Sequence, residues 1–500
     1  MSNPIQFFGG AQGFFRDRGR GDLPRGFAWN LQDWIPNLGG PLRKRGGWAF
    51  ATNDISVVST SATYVAAVSF NKFTAATKVV NITDNGKLAT SVPGSLTVTA
   101  VGTTVANLPP KQSPVQHRQT LVIPSGDGTT ASSVKSYDGG SIIATLSGSP
   151  LGQFACVYRD RTVLANSGVQ PQRVQFSAAG DPTTWTSTSF FDTTYPVTAI
   201  TPLRTAILVF SQGFCERLRG TTPPPGTDMS LEPVFEHGCL DARSVATYGD
   251  NVIFANAEGV FLTDGAAAVD LTAKGGIGTY WRNLTLSFTS SWTMAAGIFN
   301  GNYVISIMDG ATFKDCLVCD LNTRTWTRHT NLKALCFAHA VSTNEELYWA
   351  SRAAPRVNSV SSLWQPASAY KNDGDGTAVT PVLETAFVQG NVMSGRGSTR
   401  SSRISTFKSV FGEYELTDAA TDNPTLALSY ITSPTITSYT SLTDATSALI
   451  ETTVKTKFRR FVGKKSDGLA WKVAQSNASA DTILYALESE DMAREQSRLV

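Results

Sequence analysis

An excess of either charge is missing from this 500-residue chain: 42 Lys and Arg stand against 39 Asp and Glu, a net charge of +3. So small a balance gives no mandate for nucleic-acid or membrane binding through bulk charge. Long runs of Glu, Lys and Leu that would favour helices are missing too, and no apolar stretch reaches the length of a membrane helix. Residues Ile5 to Gly21 lack an apolar core with a basic prefix and a small-residue cleavage site, so no secretory signal is expected. The six cysteines, Cys156, Cys215, Cys239, Cys316, Cys319 and Cys336, are too scattered for a disulfide framework and read as buried free thiols. Cys316-Leu-Val-Cys319 has no second pair, and residues three apart on a strand face opposite sides, so zinc is not expected there.

What is present favours strands. The hydrophobic share is 41%, with 26 Phe and 10 Trp to build a core, while Ser, Thr, Val and Gly recur throughout. Only the extreme C-terminus, Glu488 to Val500, invites a short helix or a docked tail. In Arg173-Val-Gln-Phe-Ser-Ala-Ala-Gly-Asp-Pro-Thr-Thr-Trp185, Val174 and Phe176 alternate with Arg173, Gln175 and Ser177, the period of a strand with one buried face. Gly180, Asp181 and Pro182 are expected to stop that strand and lay Trp185 back over the sheet.

Comparable hairpins repeat at even intervals. Strands around Tyr64–Phe70, Gln119–Ile123, Arg161–Ala165, Ala206–Phe210 and Asn251–Ala255 alternate with turn dipeptides such as Asn85-Gly86, Asp127-Gly128, Asp138-Gly139 and Asp264-Gly265. Asn300-Gly301 is a strong hairpin signal, Cys316 to Trp326 is similar to a kelch-type blade edge with Trp326 as plug, and a last unit runs from Ala334 to Trp364. The expected fold is all-β, a β-propeller of about six to eight blades over 61–370. Residues 1–60 form an extended arm and first platform strands. Past the polar Lys371–Gly376 segment, 371–500 reads as a β-sandwich-like platform domain with a short charged tail.

The N-terminal run Asn30-Leu-Gln-Asp-Trp-Ile-Pro-Asn-Leu-Gly-Gly-Pro-Leu-Arg-Lys-Arg-Gly-Gly-Trp48, then the propeller-like repeats, the Arg173–Trp185 segment and Gly238-Cys-Leu-Asp-Ala-Arg-Ser-Val-Ala-Thr-Tyr-Gly-Asp250 through Gly265 resemble the nozzle proteins (tail tubular protein B-like) of tailed-bacteriophage tails. The resemblance covers most of residues 20 to 365 by order of motifs. It implies a structural virion protein of the tail, a homo-hexameric ring around the lower DNA-ejection channel. The implied partners are a portal or adaptor ring above, and tail fibres, spikes or tip proteins around or below. Genomic double-stranded DNA would pass through the lumen without sequence-specific binding, and the host envelope is a further contact. A near-neutral chain suits such a lumen, because strong basicity would retain DNA through counterion release. No catalysis, cofactor or metal is expected.

Arg43-Lys44-Arg45 is the first candidate contact, read as a subunit-interface element, with Arg16, Arg18, Arg20 and Arg25 extending the basic character of the arm. Arg396, Arg400 and Arg403, in a Gly- and Ser-rich stretch, form a second candidate assembly contact, against the ordinary reading of a solvated loop. His237, Cys239, Asp241 and Arg243 cluster in sequence, but a Cys/His nucleophile pair needs the imidazole in reach of the sulfur and an orienting third group, so a blade start is the favoured reading. His117, His329 and His339 are isolated and read as ordinary surface or core residues. Two other classes stay open: a receptor-binding or baseplate-type minor tail protein, and a carbohydrate-active propeller enzyme. For the latter, Ser177 to Trp185 is similar to a sialidase Asp-box, although Gly180 precedes Asp181.

Overall fold

The protein is seen here in a computed structural model that describes residues 4–8, 12–24, 26–36, 41–50, 64–73, 75–84, 86–93, 98–104, 111–126, 133–140, 143–226, 228–341, 345–351, 357–360, 379–385, 388–389, 405–416, 425–442, 447–448, 456–466, 468–476 and 482–493. Five sheets are four-stranded antiparallel meanders built from consecutive strands. They run from Tyr64–Phe70 to Val98–Thr104, Val115–His117 to Ile143–Thr145, Phe154–Tyr158 to Asp181–Asp192, Ala199–Pro202 to Ser230–Phe235, and Ala246–Tyr248 to Ala268–Asp270.

The alternation that predicted these strands is the one that packs them. Along Arg173–Ala178, Val174 and Phe176 are buried while Arg173 and Gln175 stay partly exposed. The buried faces meet between meanders. Ala66 and Phe70 of the first share a core with Leu121 and Tyr137 of the second, Val122 of the second meets Ala155 and Leu164 of the third, and Cys156, Ile207 and Phe254 join the third, fourth and fifth. Trp185 packs against the cluster between the second and third meanders, and its Nε1 donates to the Pro182 carbonyl at 2.7 Å.

A sixth meander, Trp292–Phe299 to Thr325–His329, lies within a wider 11-stranded sheet. Three further strands, Ala334–Val341, Glu345–Ser351 and Val357–Val360, take Ala49–Phe50 as their fourth, with Asn358 opposite Phe50 and Ser359 opposite Ala49. Ala67 and Val79 of the first meander then pack on Cys336, Ala338 and Tyr348, so the succession returns to its start. Side-by-side meanders that close on themselves constitute a β-propeller.

Most of the remaining strands form two sheets that share one core. One holds Thr456–Ser466, Ser405–Leu416, Thr482–Ala493, Leu42–Lys44 and Trp34–Pro36, with Pro4–Phe8 alongside Thr482–Ala493. The other runs through Asn30–Gln32, Val382–Glu384, Gly468–Ser476 and Thr425–Ile431, and joins the sixth meander because Gln32 pairs in parallel with Arg328. Val410, Tyr414 and Leu487 from the first share one core with Leu428, Trp471, Val473 and, from the propeller, Tyr303 and Trp326. N-terminal strands therefore complete both bodies.

Three local expectations change. Glu488 to Ala493 continues a strand, because Glu488 pairs with both Phe411 and Gln6 and the ladder outweighs the helical bias of the charged residues; residues 494–500 lie outside the described set. Helix appears instead between the fifth and sixth meanders, as α1 (Leu271–Lys274) and α2 (Gly278–Thr285), the first capped by the Asp270 carboxylate on the amides of Thr272 and Ala273. Pro182 does not end structure: Gly180, at φ +77°, makes the turn, and Pro182 sits near the start of an outer strand, which proline tolerates. Lys371–Gly376 and Leu363-Trp364 lie outside the described residues.

Candidate functional site at the arm junction

Polar residues concentrate where the N-terminal arm passes between the propeller and the sandwich. Gly13–Phe14 pairs in parallel with Phe27–Ala28, and the amides of Arg16 and Asp17 donate to the Gly276 carbonyl at 2.7 and 3.0 Å. Gly276 is required by both conformation and space: its φ is +73°, and a Cβ there would stand 2.0 Å from Phe15. The Asp17 carboxylate accepts from the Gly278 and Thr279 amides at 3.1 and 2.6 Å, so the arm caps α2 from a distance in sequence.

Three guanidinium groups and several rings pack beside this cap. Arg20 pairs with Glu384 at 2.8 Å, and Tyr439 donates to the same carboxylate at 3.0 Å. Arg328 pairs with Asp315 at 3.0 Å and donates to Asn30 Oδ1 at 3.2 Å, and the Tyr280 hydroxyl also donates to Asp315. Burial raises the Asp315 carboxyl above its ordinary value despite Arg328. Arg16 stacks over Trp29 at 4.3 Å and faces Tyr280 at 6.0 Å, while Arg20 covers Trp29 and Tyr439 at 5.1 and 5.2 Å.

The basic run continues inward from here. Lys44 and Arg45 are buried and Arg43 is half-buried. Arg45 Nε donates to Asp33 Oδ1 at 2.6 Å, and its Nη groups donate to the Gly46 and Thr330 carbonyls at 3.0 and 2.9 Å. Thr330 returns its amide and hydroxyl to Asp33 at 2.9 and 2.6 Å. Burial alone would lift the Asp33 carboxyl, but Arg45 and the Thr330 donors hold it below its usual value. Burial and the Arg45 charge push His329 down as well, to about 3, so it stays neutral. Arg45 thus has its counterion inside its own chain. Arg396, Arg400 and Arg403 lie outside the described residues, as does Arg25; Arg18 is exposed.

The His237 to Arg243 cluster takes a different form from a nucleophile pair. His237 Nδ1 lies 3.2 Å from Glu258 and its ring stacks on Phe261 at 4.4 Å. Asp241 caps the turn Ala242–Ser244 through the Arg243 amide, pairs with the Arg243 guanidinium at 2.9 Å and accepts from the Met294 amide at 3.1 Å. The Cys239 thiol is buried beside Ser244, and burial pushes it up to about 12. Since the thiolate is the nucleophile, that sulfur is unreactive near neutrality. Cys316 and Cys319 enter separate clusters, with Trp48 and Trp349 on one face and Trp281 and Trp326 on the other. Among the described residues no group of three His, Cys, Asp or Glu is arranged to hold a metal ion.

His117 is a core residue with both nitrogens engaged, by Thr162 at 2.7 Å and Asp160 at 3.1 Å. Sequence reasoning passed over Asp33, Asp17, Asp315 and Glu384, each isolated from its partner by many residues. The Arg159-Asp160 turn, with φ of 50° and 56°, carried no glycine to announce it.

These features define the class: an all-β protein built on a β-propeller, with a β-sandwich woven to it by N-terminal strands. No sequence-family model matches the chain, and no curated protein matches it in sequence. Among solved structures, BamB from Moraxella catarrhalis is similar at 12% identity and a TM-score of 0.37, over 71% of this chain and 97% of that one. PorZ, described as an essential bacterial surface component of the type-IX secretion system of Porphyromonas gingivalis, is similar at 14% identity and a TM-score of 0.38, over 70% of this chain and 44% of that one. The chain therefore spans less than half the length of PorZ.

Proposed function

We propose that the protein is a structural component of a bacteriophage tail, a nozzle-type subunit that acts as a homo-hexamer around the DNA-exit channel. The order of motifs in the sequence carries this reading: arm, propeller units, the Arg173–Trp185 segment and the Gly238–Gly265 segment. Its mechanical counterpart is the arm, whose strands enter the sandwich at Trp34–Pro36 and Leu42–Lys44 and the propeller at Ala49–Phe50. A part that carries load between rings gains from such stitching, because the bodies cannot separate without breaking strand pairs. A count of seven blades belongs to the same proposal: to the five self-contained meanders it adds the Trp292–His329 meander and the unit that Ala49–Phe50 joins. The portal or adaptor ring above, tail fibres, spikes or tip proteins around or below, the passing DNA and a host-envelope contact belong to the same proposal.

The experiment is antibody labelling of virus particles viewed by electron microscopy. Label at the distal tail axis is the expected result. Label on peripheral fibres would transfer the chain to host recognition. Particles without the chain would overturn the virion reading, and glycoside hydrolysis by the purified protein would then favour an enzyme.

A further inference from the structure

We propose that the aromatic cage around Arg16 is a binding site for an oxyanion, a phosphate or carboxylate group, held by the Arg16 guanidinium where the arm, α2 and the sandwich meet. The inference does not rest on the tail reading.

Among the described residues Arg16 is the guanidinium of this cage that no carboxylate contacts. Arg16, Arg20 and Arg328 share the junction with three carboxylates, and each is engaged elsewhere: Asp17 by the Gly278 and Thr279 amides, Glu384 by Arg20 and Tyr439, and Asp315 by Arg328 and Tyr280. Arg16 Nε is buried without a hydrogen-bond acceptor among the described residues. Burial lowers the Arg16 pKa, with Arg328 and Arg20 adding to the effect and Glu384 and Tyr280 opposing it without reversing it.

The rings do not meet that need. Trp29 at 4.3 Å and Tyr280 at 6.0 Å offer their faces to the cation, which fixes the guanidinium plane but accepts none of its in-plane N–H groups. A guanidinium held flat by aromatic stacking is pre-organised for two parallel hydrogen bonds to a planar or tetrahedral oxyanion. Arg20, itself 7% exposed and with Nε also lacking an acceptor, adds positive potential at the same place. Because Arg16 is only half-buried, a ligand can reach it from solvent.

The test is isothermal titration of the full chain at low ionic strength with inorganic phosphate and, separately, with acetate, which distinguishes a phosphate from a carboxylate source. Saturable binding of one or both with one site per chain is expected. Arg16→Gln should weaken it at least tenfold, while Arg18→Gln, at an exposed position outside the cage, should leave it unchanged. Arg16→Lys keeps the charge without the fork, and should bind about tenfold more weakly than the native chain. It also serves if Arg16→Gln does not fold. Absence of saturable binding by the unmodified protein, or equal binding by the Arg16 variants, overturns the proposal.

Discussion

Arg45 Nε stands 2.6 Å from Asp33 Oδ1 with both side chains fully enclosed, so two residues of the N-terminal arm carry a charge pair into the core. Removing one member would strand the other. Arg45→Met is expected to destabilise the protein by about 3–5 kcal/mol, whereas Arg45→Met with Asp33→Asn should recover a large part of that loss. Urea midpoints of the two single variants, the double variant and the native chain give the coupling. Additive losses would contradict the pairing.

His329 makes the same region sensitive to acid. Its folded pKa lies near 3 against about 6.5 for a free imidazole. Above pH 6.5 both states hold it neutral and it contributes no pH dependence. Between about 6.5 and 3 the unfolded state gains a proton that the folded state refuses, so stability falls as pH falls, by up to about 1.4 kcal/mol per pH unit. Asp33, whose folded pKa is depressed, acts in the same sense once pH drops below the ordinary carboxylate range. His329→Gln should flatten the stability profile between pH 6 and pH 4.5, read from urea unfolding at several pH values.

The propeller was legible because its signals are local. Val174 and Phe176 alternate within six residues, and Asn300-Gly301 takes the left-handed turn that its sequence demands, at φ 48° and 73°. The junction was illegible because its partners are remote. Arg20 meets Glu384 across 364 positions, and Asp17 caps a helix 261 residues later. No periodicity encodes such pairings. The Arg43-Lys44-Arg45 run was visible as charge, but Arg45 is buried against Asp33 and the carbonyl of Thr330, 285 positions away, which the run itself does not encode.

Gly276 tests whether the arm is seated as described. Alanine there combines a left-handed backbone cost of roughly 1–2 kcal/mol with a clash against Phe15. Gly276→Ala should therefore lose more stability than the conformational term alone and raise protease sensitivity within residues 12–24. A variant with native stability would show that the arm does not need this contact.

Cys239 offers a test of the unreactive-thiol reading. With its thiol pushed up to about 12, it should resist iodoacetamide at pH 8 in the folded protein and react once the chain is unfolded. Mass spectrometry of the labelled peptide decides this. Rapid modification in the native state would reopen a nucleophilic role for the His237 to Arg243 segment.

Closure of the propeller by the arm predicts an energetic coupling between two tryptophans. Trp48 and Trp349 meet edge to face with centroids 5.6 Å apart, Trp48 just before the closing strand and Trp349 on the blade it completes. Trp48→Ala should cost about 3–5 kcal/mol by leaving a cavity in a shared core. That cost alone would not distinguish closure from ordinary burial. A double-mutant cycle with Trp349→Ala does, because the ring contact should appear as a coupling of about 0.5–1.5 kcal/mol. Thermal unfolding of the four proteins supplies the cycle. A coupling near zero would mean that the arm packs beside the last blade without completing it.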